Sequence, residues 1–166
     1  MDPRTLPLDQ ILDDFHHECL YEQDSWFCHR ILTLDRDAGL LRVEVDTTRL
    51  GPLVTAQRVT PAHPKHFPGA IAVQLTGTLG QLWAVYGMGL RATEGWSGFG
   101  THIHDARFQR MGEIGPPAVA EARCTRQRKL RGTWFTSFEF QYLQHDKVFY
   151  SSKQTAAWVC APSPQD

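Results

Sequence analysis

The chain has 166 residues, with 17 Lys and Arg, 18 Asp and Glu, and a formal net charge of -1. This length suits one domain, residues 1–166, that can bury a substantial core. The near-neutral balance argues against recognition of nucleic acid through overall charge, so any charge-based recognition must be local.

The cysteines predict no metal site and no export. Cys19, Cys28, Cys124 and Cys160 are widely scattered, without the paired spacing of a zinc site. We expect reduced thiols in a cytoplasmic protein, because the first residues also lack the basic-then-apolar order of a secretion signal. His102 and His104 are two residues apart, but no third ligand can be placed. We therefore expect no metal and no cofactor.

The first third of the chain predicts a helix, two strands and a loop. Apolar residues recur at helical spacing from Leu8 to Phe15 and indicate an amphipathic helix over about residues 6–20. Alternating residues then indicate strands over 27–34 and 40–46, joined by a turn that contains Gly39. Four prolines make a continuous helix unfavourable over 51–68, which is predicted to be a loop.

The segment 70–90 contains no charged residue. It predicts a buried helix from Gly69 to about Tyr86, ended by the glycines that follow, with His66 just before its start. The segment is long enough to span a bilayer, but Gln74, Gln81 and several glycines argue against membrane insertion.

The second half of the chain alternates with period two and predicts long strands over 96–108, 118–130, 133–143 and 148–159. A tight turn is expected at His145-Asp146, and a frayed tail over 161–166. Because one uncharged helix must be removed from water, we expect an α+β fold in which a long antiparallel sheet wraps around it.

Two segments resemble hotdog-fold acyl-thioester enzymes. His66-Phe67-Pro68-Gly69 is similar to the signature before the central helix of β-hydroxyacyl-ACP dehydratases, and 106–116 is similar to their later strand and turn. The overall layout is more similar to the fatty acyl-CoA thioesterase type III family. The resemblance implies a hotdog fold, a homodimer or dimer of dimers with active sites at the shared interface, and acyl-CoA or a phosphopantetheinylated acyl-carrier protein as partner.

One departure from the dehydratases bears on the reaction. Aligning Pro68-Gly69 with their Pro-Gly places Gln74 where they carry a catalytic carboxylate. An amide does not exchange protons at neutral pH, so hydrolysis of an acyl thioester is favoured over dehydration. The alternatives are a dehydratase or isomerase with His66 as base, and a module that binds acyl chains or carrier protein without turnover.

The resemblance suggests a site at the helix mouth. His66, with His63 as a weaker candidate, would face a thioester carbonyl held by the N–H groups of Gly69 and Ala70, while Gln74 would orient a water. Thr78 could line the same side of the helix. A basic run that includes Arg126, Arg128 and Arg131 could bind phosphates of the acyl carrier. The competing interpretations are an exposed loop histidine for His66, a hydrogen-bonded core amide or a helix–helix contact across a dimer for Gln74, and solvated surface charge for the basic run.

Overall fold

The computed structural model describes residues 2–161. Six strands form one sheet: β1 (Arg30–Asp35), β2 (Leu40–Val45), β3 (Trp96–Phe108), β4 (Ala118–Leu130), β5 (Thr133–Gln144) and β6 (Lys147–Cys160). All neighbours are antiparallel, in the order β1-β2-β4-β5-β6-β3. β1 and β3 are therefore the edge strands.

The central helix, α3, runs from Gly69 to Leu82 and continues with π-type hydrogen bonding from Trp83 to Met88. It ends where Gly89 adopts a φ of 78°, a left-handed conformation that glycine adopts without steric cost. Leu75 and Leu79 are fully buried against core residues of the sheet, among them Val43 and Phe140. The prediction of a buried helix packed on an antiparallel sheet is confirmed.

The four long strands occur within about a residue of their predicted bounds. On β5, Phe138, Phe140 and Tyr142 point into the core while Glu139 and Gln141 are exposed, as the alternation predicts. The β5–β6 turn has His145 and Asp146 at φ of 50° and 57°. Positive φ at both central residues matches the hairpin turn whose twist suits antiparallel strands.

The N-terminal region differs from the prediction. α1 covers only Ile11–Phe15, and a separate 3₁₀ turn covers Pro3–Thr5. Pro7 disfavours one helix through this region, because proline lacks an N–H and restricts the residue before it. β1 begins at Arg30 rather than Phe27, since Phe27 has a φ of 57° that does not fit a strand.

The region 51–68 is a loop apart from one short helix, α2 (Pro52–Thr55), which places Pro52 in its first turn, where a missing N–H costs nothing. The frayed tail predicted for 161–166 lies, apart from Ala161, outside the described residues. Within residues 2–161, no helix combines the length and apolar character needed to cross a membrane.

A largely buried cluster of one arginine and two carboxylates connects the N-terminal region to the segment after α3. Arg91 donates to Glu18 at 2.7 Å and to Asp14 at 2.9 Å. Tyr86 Oη donates to the same Asp14 carboxylate at 2.7 Å, and Thr93 donates to Glu18 through its N–H and its hydroxyl. These bonds offset the cost of burying the Glu18 carboxylate.

Candidate active site

A groove of about 640 Å³ lies between the exposed side of α3 and the edge strand β3. Its helix wall is formed by residues that recur every three or four positions, so that they share one face: Ala70, Val73, Gln74, Gly77 and Gln81. Its sheet wall consists of β3 from Gly98 to Ile103, with Gln154 of β6. Leu20 and Tyr21 also line the groove.

Gln74 is half-buried in this groove, and its amide forms no hydrogen bond with any other residue of the described part of the chain. The other two glutamines of the groove are occupied: Gln81 accepts from the Cys19 thiol at 3.0 Å, and Gln154 accepts from the Thr76 hydroxyl at 3.2 Å. Gln74 is thus the groove amide that is available to a ligand or a water.

The first turn of α3 has backbone N–H groups without an acceptor and no negatively charged side chain within the described residues. Phe67 N–H donates to the Gly112 carbonyl, Pro68 has no N–H, and the first N–H that bonds back along the chain is that of Ala72, to the Pro68 carbonyl at 3.1 Å. The N–H groups of residues 69–71 therefore have no backbone acceptor within residues 2–161, and no acidic residue occupies the first turn. Such a terminus favours a developing negative charge.

Gly69 is in close contact with a side chain of the sheet. A Cβ at this position would lie 3.2 Å from the Phe108 ring, so Phe108 of β3 rests directly on the start of the helix. Ala70, one residue further on, is exposed and lines the groove. Of the two backbone positions predicted from the sequence, Ala70 is therefore the one that faces the groove.

His66 and His63 lie in the loop before α3, and neither lines the groove. The Gln57 amide holds the His66 backbone through hydrogen bonds of 2.9 and 2.8 Å, and the two imidazoles are 4.6 Å apart. The Nδ1 of His66 lies 3.2 Å from the Pro64 carbonyl. A carbonyl only accepts, so Nδ1 carries the proton and Nε2 is left as the basic nitrogen.

Thr78 does not lie with Gln74. Its side chain is buried on the core side of α3, and its hydroxyl has no partner within the described residues. Thr76, which was not predicted as a site residue, lies at the groove instead. The helix is apolar on nearly all sides, so its sequence does not show which face remains exposed.

Arg126 and Arg128 lie on the outer face of the sheet, opposite to α3. They pair with Ser137 and Phe135 of β5 and line a separate pocket of about 430 Å³. Neither guanidinium has an acidic partner among residues 2–161, whereas Arg123 on the same strand pairs with Glu121. Arg131 occupies the β4–β5 turn with a φ of 48°. Thr101 and His102 line both the outer pocket and the groove.

Titratable groups are scarce in the groove. Its lining within the described residues contains no carboxylate and includes one histidine, His102. Cys19, which bonds Gln81, has a pKa raised by burial, so its thiol is a poor nucleophile at neutral pH. No group of three metal-ligating side chains occurs in residues 2–161. The groove therefore offers hydrogen-bond donors and an orienting amide rather than an internal acid–base pair.

Comparison with solved structures identifies the fold. The chain superposes on a mutant thioesterase from Pseudomonas aeruginosa with a TM-score of 0.62 and 17% identity, covering 95% of this chain and 96% of that one. A dehydratase heterocomplex from Xenorhabdus doucetiae gives 0.60 and 13%, over 86% and 88%. A hypothetical thioesterase from Streptococcus pneumoniae, solved with coenzyme A, gives 0.54 and 12%, over 92% and 99%.

These likenesses show a hotdog fold, with the central helix packed on an antiparallel sheet. The sequence adds no closer assignment, because no protein-family model and no curated protein matches the chain. At identities of 13 to 17% for the first two structures, the comparison defines the architecture alone. The reaction has to be inferred from the residues of the groove.

Proposed function

We propose that this protein hydrolyses an acyl thioester in the groove between α3 and β3. The observation that carries the proposal is the amide of Gln74, which has no hydrogen-bond partner within residues 2–161 and lies one helical turn from Ala70 at the N-terminus of α3. Residues four apart on a helix are neighbours, about 6 Å apart. A thioester carbonyl that accepts from Ala70 N–H would therefore place its carbon close to a water held by Gln74.

The proposed reaction uses this arrangement in two steps. Water bonded to Gln74 attacks the carbonyl carbon, while the helix N-terminus stabilises the negative charge on the carbonyl oxygen. Because His66 lies outside the groove lining, the proposed path carries the proton to its Nε2 through a second water. The C–S bond then breaks, and the departing thiolate takes the proton back from His66. His63, which packs against His66, is the weaker candidate for the same proton transfer.

Hydrolysis is preferred to dehydration because of what lines the groove. Removal of water from a β-hydroxyacyl group requires an acid and a base acting on the same substrate. The groove has no carboxylate among its described residues, and an amide at position 74 cannot titrate. The proposed hydrolysis uses one proton carrier, His66, together with an orienting amide and an oxyanion site, so the residues present suit hydrolysis.

We assign the phosphates of the acyl carrier, whether coenzyme A or a phosphopantetheine arm, to Arg126 and Arg128, with Arg131 in the adjacent turn. Within residues 2–161 the two guanidinium groups have no acidic partner, and their pocket meets the groove at Thr101 and His102. The solved neighbour with coenzyme A supports a carrier of this chemistry. Arg126→Gln should raise KM for an acyl-CoA and leave KM for the matching acyl-pantetheine, which lacks the nucleotide phosphates, unchanged.

We further propose that a second copy covers the helix side of β3. Val73, Ile103 and Phe108 are 39%, 53% and 56% exposed along this groove and strand. Exposed apolar residues beside an unpaired edge strand are typical of an interface. The homodimer would place the active site at its shared boundary.

The test supplies saturated and 3-hydroxy acyl-CoAs and follows free thiol and enoyl absorbance together. The proposal expects thiol release without enoyl formation, and at least a tenfold loss for Gln74→Ala. Gln141→Ala, which removes an exposed amide on the outer face of β5, is the matched control and should keep the wild-type rate. Enoyl formation would replace the proposal with a dehydratase, and tight binding without either product would replace it with a binding module.

A further inference from the structure

A second, deeper cavity of about 70 Å³ opens from the floor of the groove into the space between α3 and the sheet. The two spaces are contiguous, because Thr76, Gly77, Gly100 and Gln154 line both. Gly80 on the helix and Phe138, Phe140 and Trp158 on the sheet line the deep cavity and not the groove.

The walls of this cavity are apolar. Phe138, Phe140 and Trp158 are each at most 5% exposed, and the Phe138 and Phe140 rings stack at 5.5 Å. The polar groups stand at the entrance, where Thr76 donates to Gln154 and Gln154 donates to Ser152. A polar occupant would find few partners inside, whereas an apolar occupant would be removed from water.

The cavity exists because the helix has no side chain there. A Cβ at Gly77 would meet no other atom within 4 Å, and one at Gly80 would meet only Phe138, at 4.0 Å. Trp158 forms part of the cavity wall, and its ring packs on Gly98. The indole Nε1 donates to the Thr136 hydroxyl at 3.0 Å, which fixes this wall in place.

We propose that the deep cavity receives the acyl chain of the thioester and limits its length. This inference rests on the function proposed above. A water-sized group needs roughly 10–15 Å³ of such space, so the cavity holds about five methylene-sized groups. With the carbonyl and α-carbons in the groove, the preferred acyl group has about six to eight carbons. Longer chains exceed the volume of the cavity.

The experiment measures kcat/KM for straight-chain acyl-CoAs from two to sixteen carbons. Wild-type protein should be most active at about six to eight carbons, with at least a tenfold lower value at sixteen. Gly80→Ala adds one methyl group inside the cavity and should move the optimum to shorter chains. Alanine is the better helix former, so this variant should fold at least as well as the wild type.

Phe138→Leu enlarges the same cavity and should move the optimum to longer chains. Phe15→Leu is its matched control, because Phe15 is equally buried but packs on Trp26 and Tyr86 and lines neither space. It should lower thermal stability and leave the chain-length profile unchanged. If Phe138→Leu does not fold, Gly80→Ala decides the question.

Parallel binding measurements with non-hydrolysable acyl-CoA thioethers separate this inference from the proposed reaction. If the protein hydrolyses no thioester but binds the thioethers according to chain length, and Gly80→Ala shifts that preference, the acyl cavity is retained and the hydrolase is rejected. Hydrolysis with the same length profile in the wild type, Gly80→Ala and Phe138→Leu would retain the hydrolase and reject the acyl cavity.

Discussion

At the scale of single residues, hydrogen-bonding state separates Gln74 from the other amides of the groove. Gln81 and Gln154 have partners that fix their orientation, and Gln74 has none within the described residues. A half-buried amide without a protein partner is suited to a ligand or a water. Its place in the sequence, five residues after Gly69, is where the resembling dehydratases carry a carboxylate.

Substitution of Gln74 and His66 tests the proposed proton path. Gln74→Ala should lower kcat about tenfold or more with little change in unfolding temperature, because the side chain forms no hydrogen bond within the described residues. Gln74→Glu should retain some activity with a new acid limb in its pH–rate profile, since a carboxylate titrates.

His66→Ala should lower kcat roughly a hundredfold if the imidazole is the base. Wild-type rates in both alanine variants would remove these residues from the mechanism.

Glu18 provides a stability test that is independent of the reaction. Burial alone would raise the pKa of Glu18, but hydrogen bonds from Thr93 and Arg91 outweigh it and hold the pKa below its ordinary value of 4.5. The folded state therefore binds this proton less readily than the unfolded state. The resulting stabilisation is complete above pH 4.5 and is lost as the pH falls through the lower folded value.

Glu18→Gln should accordingly lower the free energy of unfolding by about 1.5–3 kcal/mol at pH 7, because Arg91 keeps Asp14 as a partner but loses its charge-assisted hydrogen bond to Glu18. The difference from the wild type should shrink in acid. Urea unfolding at pH 7 and pH 3 measures both values. The assignment fails if the two proteins differ by the same amount at each pH.

At the scale of elements, the β5–β6 hairpin stores local strain. His145 and Asp146 both adopt a left-handed conformation, which costs a residue with a Cβ about 1–2 kcal/mol. The preferred residue at the second position of such a turn is glycine. The turn is retained because it joins two long strands whose register is set by buried pairs such as Tyr142 and Tyr150.

Asp146→Gly should therefore raise the free energy of unfolding by up to about 1 kcal/mol, measured by chemical denaturation. Asp146→Ala removes the same carboxylate without giving the backbone this freedom, so it should bring no gain. Equal stabilisation by the two variants would show that the carboxylate, rather than the backbone, is the source of the strain.

At the scale of the whole molecule, the edge strand β3 carries exposed apolar side chains. β3 is an outer strand of 13 residues with exposed Phe99, Ile103 and Phe108. It also contains two register irregularities, between Gly100 and His102 and between Ile103 and Asp105. Such bulges discourage indiscriminate edge pairing, so the proposed partner is a specific second copy.

The proposed homodimer predicts twice the monomer mass by light scattering at micromolar concentration. Ile103→Lys should shift the protein towards monomer, because it places a charge in the interface. Lys153→Ala, on the outer face of β6, removes an exposed charge and should leave the mass unchanged. A monomeric wild type would contradict the proposal directly.

Local patterns in the sequence determined the central helix, the last four strands and the tight turn between β5 and β6. An uncharged segment must be removed from water, and apolar residues at every second position indicate a strand, so both kinds of element are confirmed. The strands lie within about a residue of their predicted bounds, and the helix, predicted to end at about Tyr86, continues with π-type hydrogen bonding to Met88. The tertiary structure decided which side of α3 faces the groove, because an apolar helix carries no amphipathic signal. It placed Thr78 in the core and Thr76 at the groove. A bulge between Cys124 and Arg126 turned Arg126 and Arg128 to the outer face, since one inserted residue reverses the direction of every side chain after it.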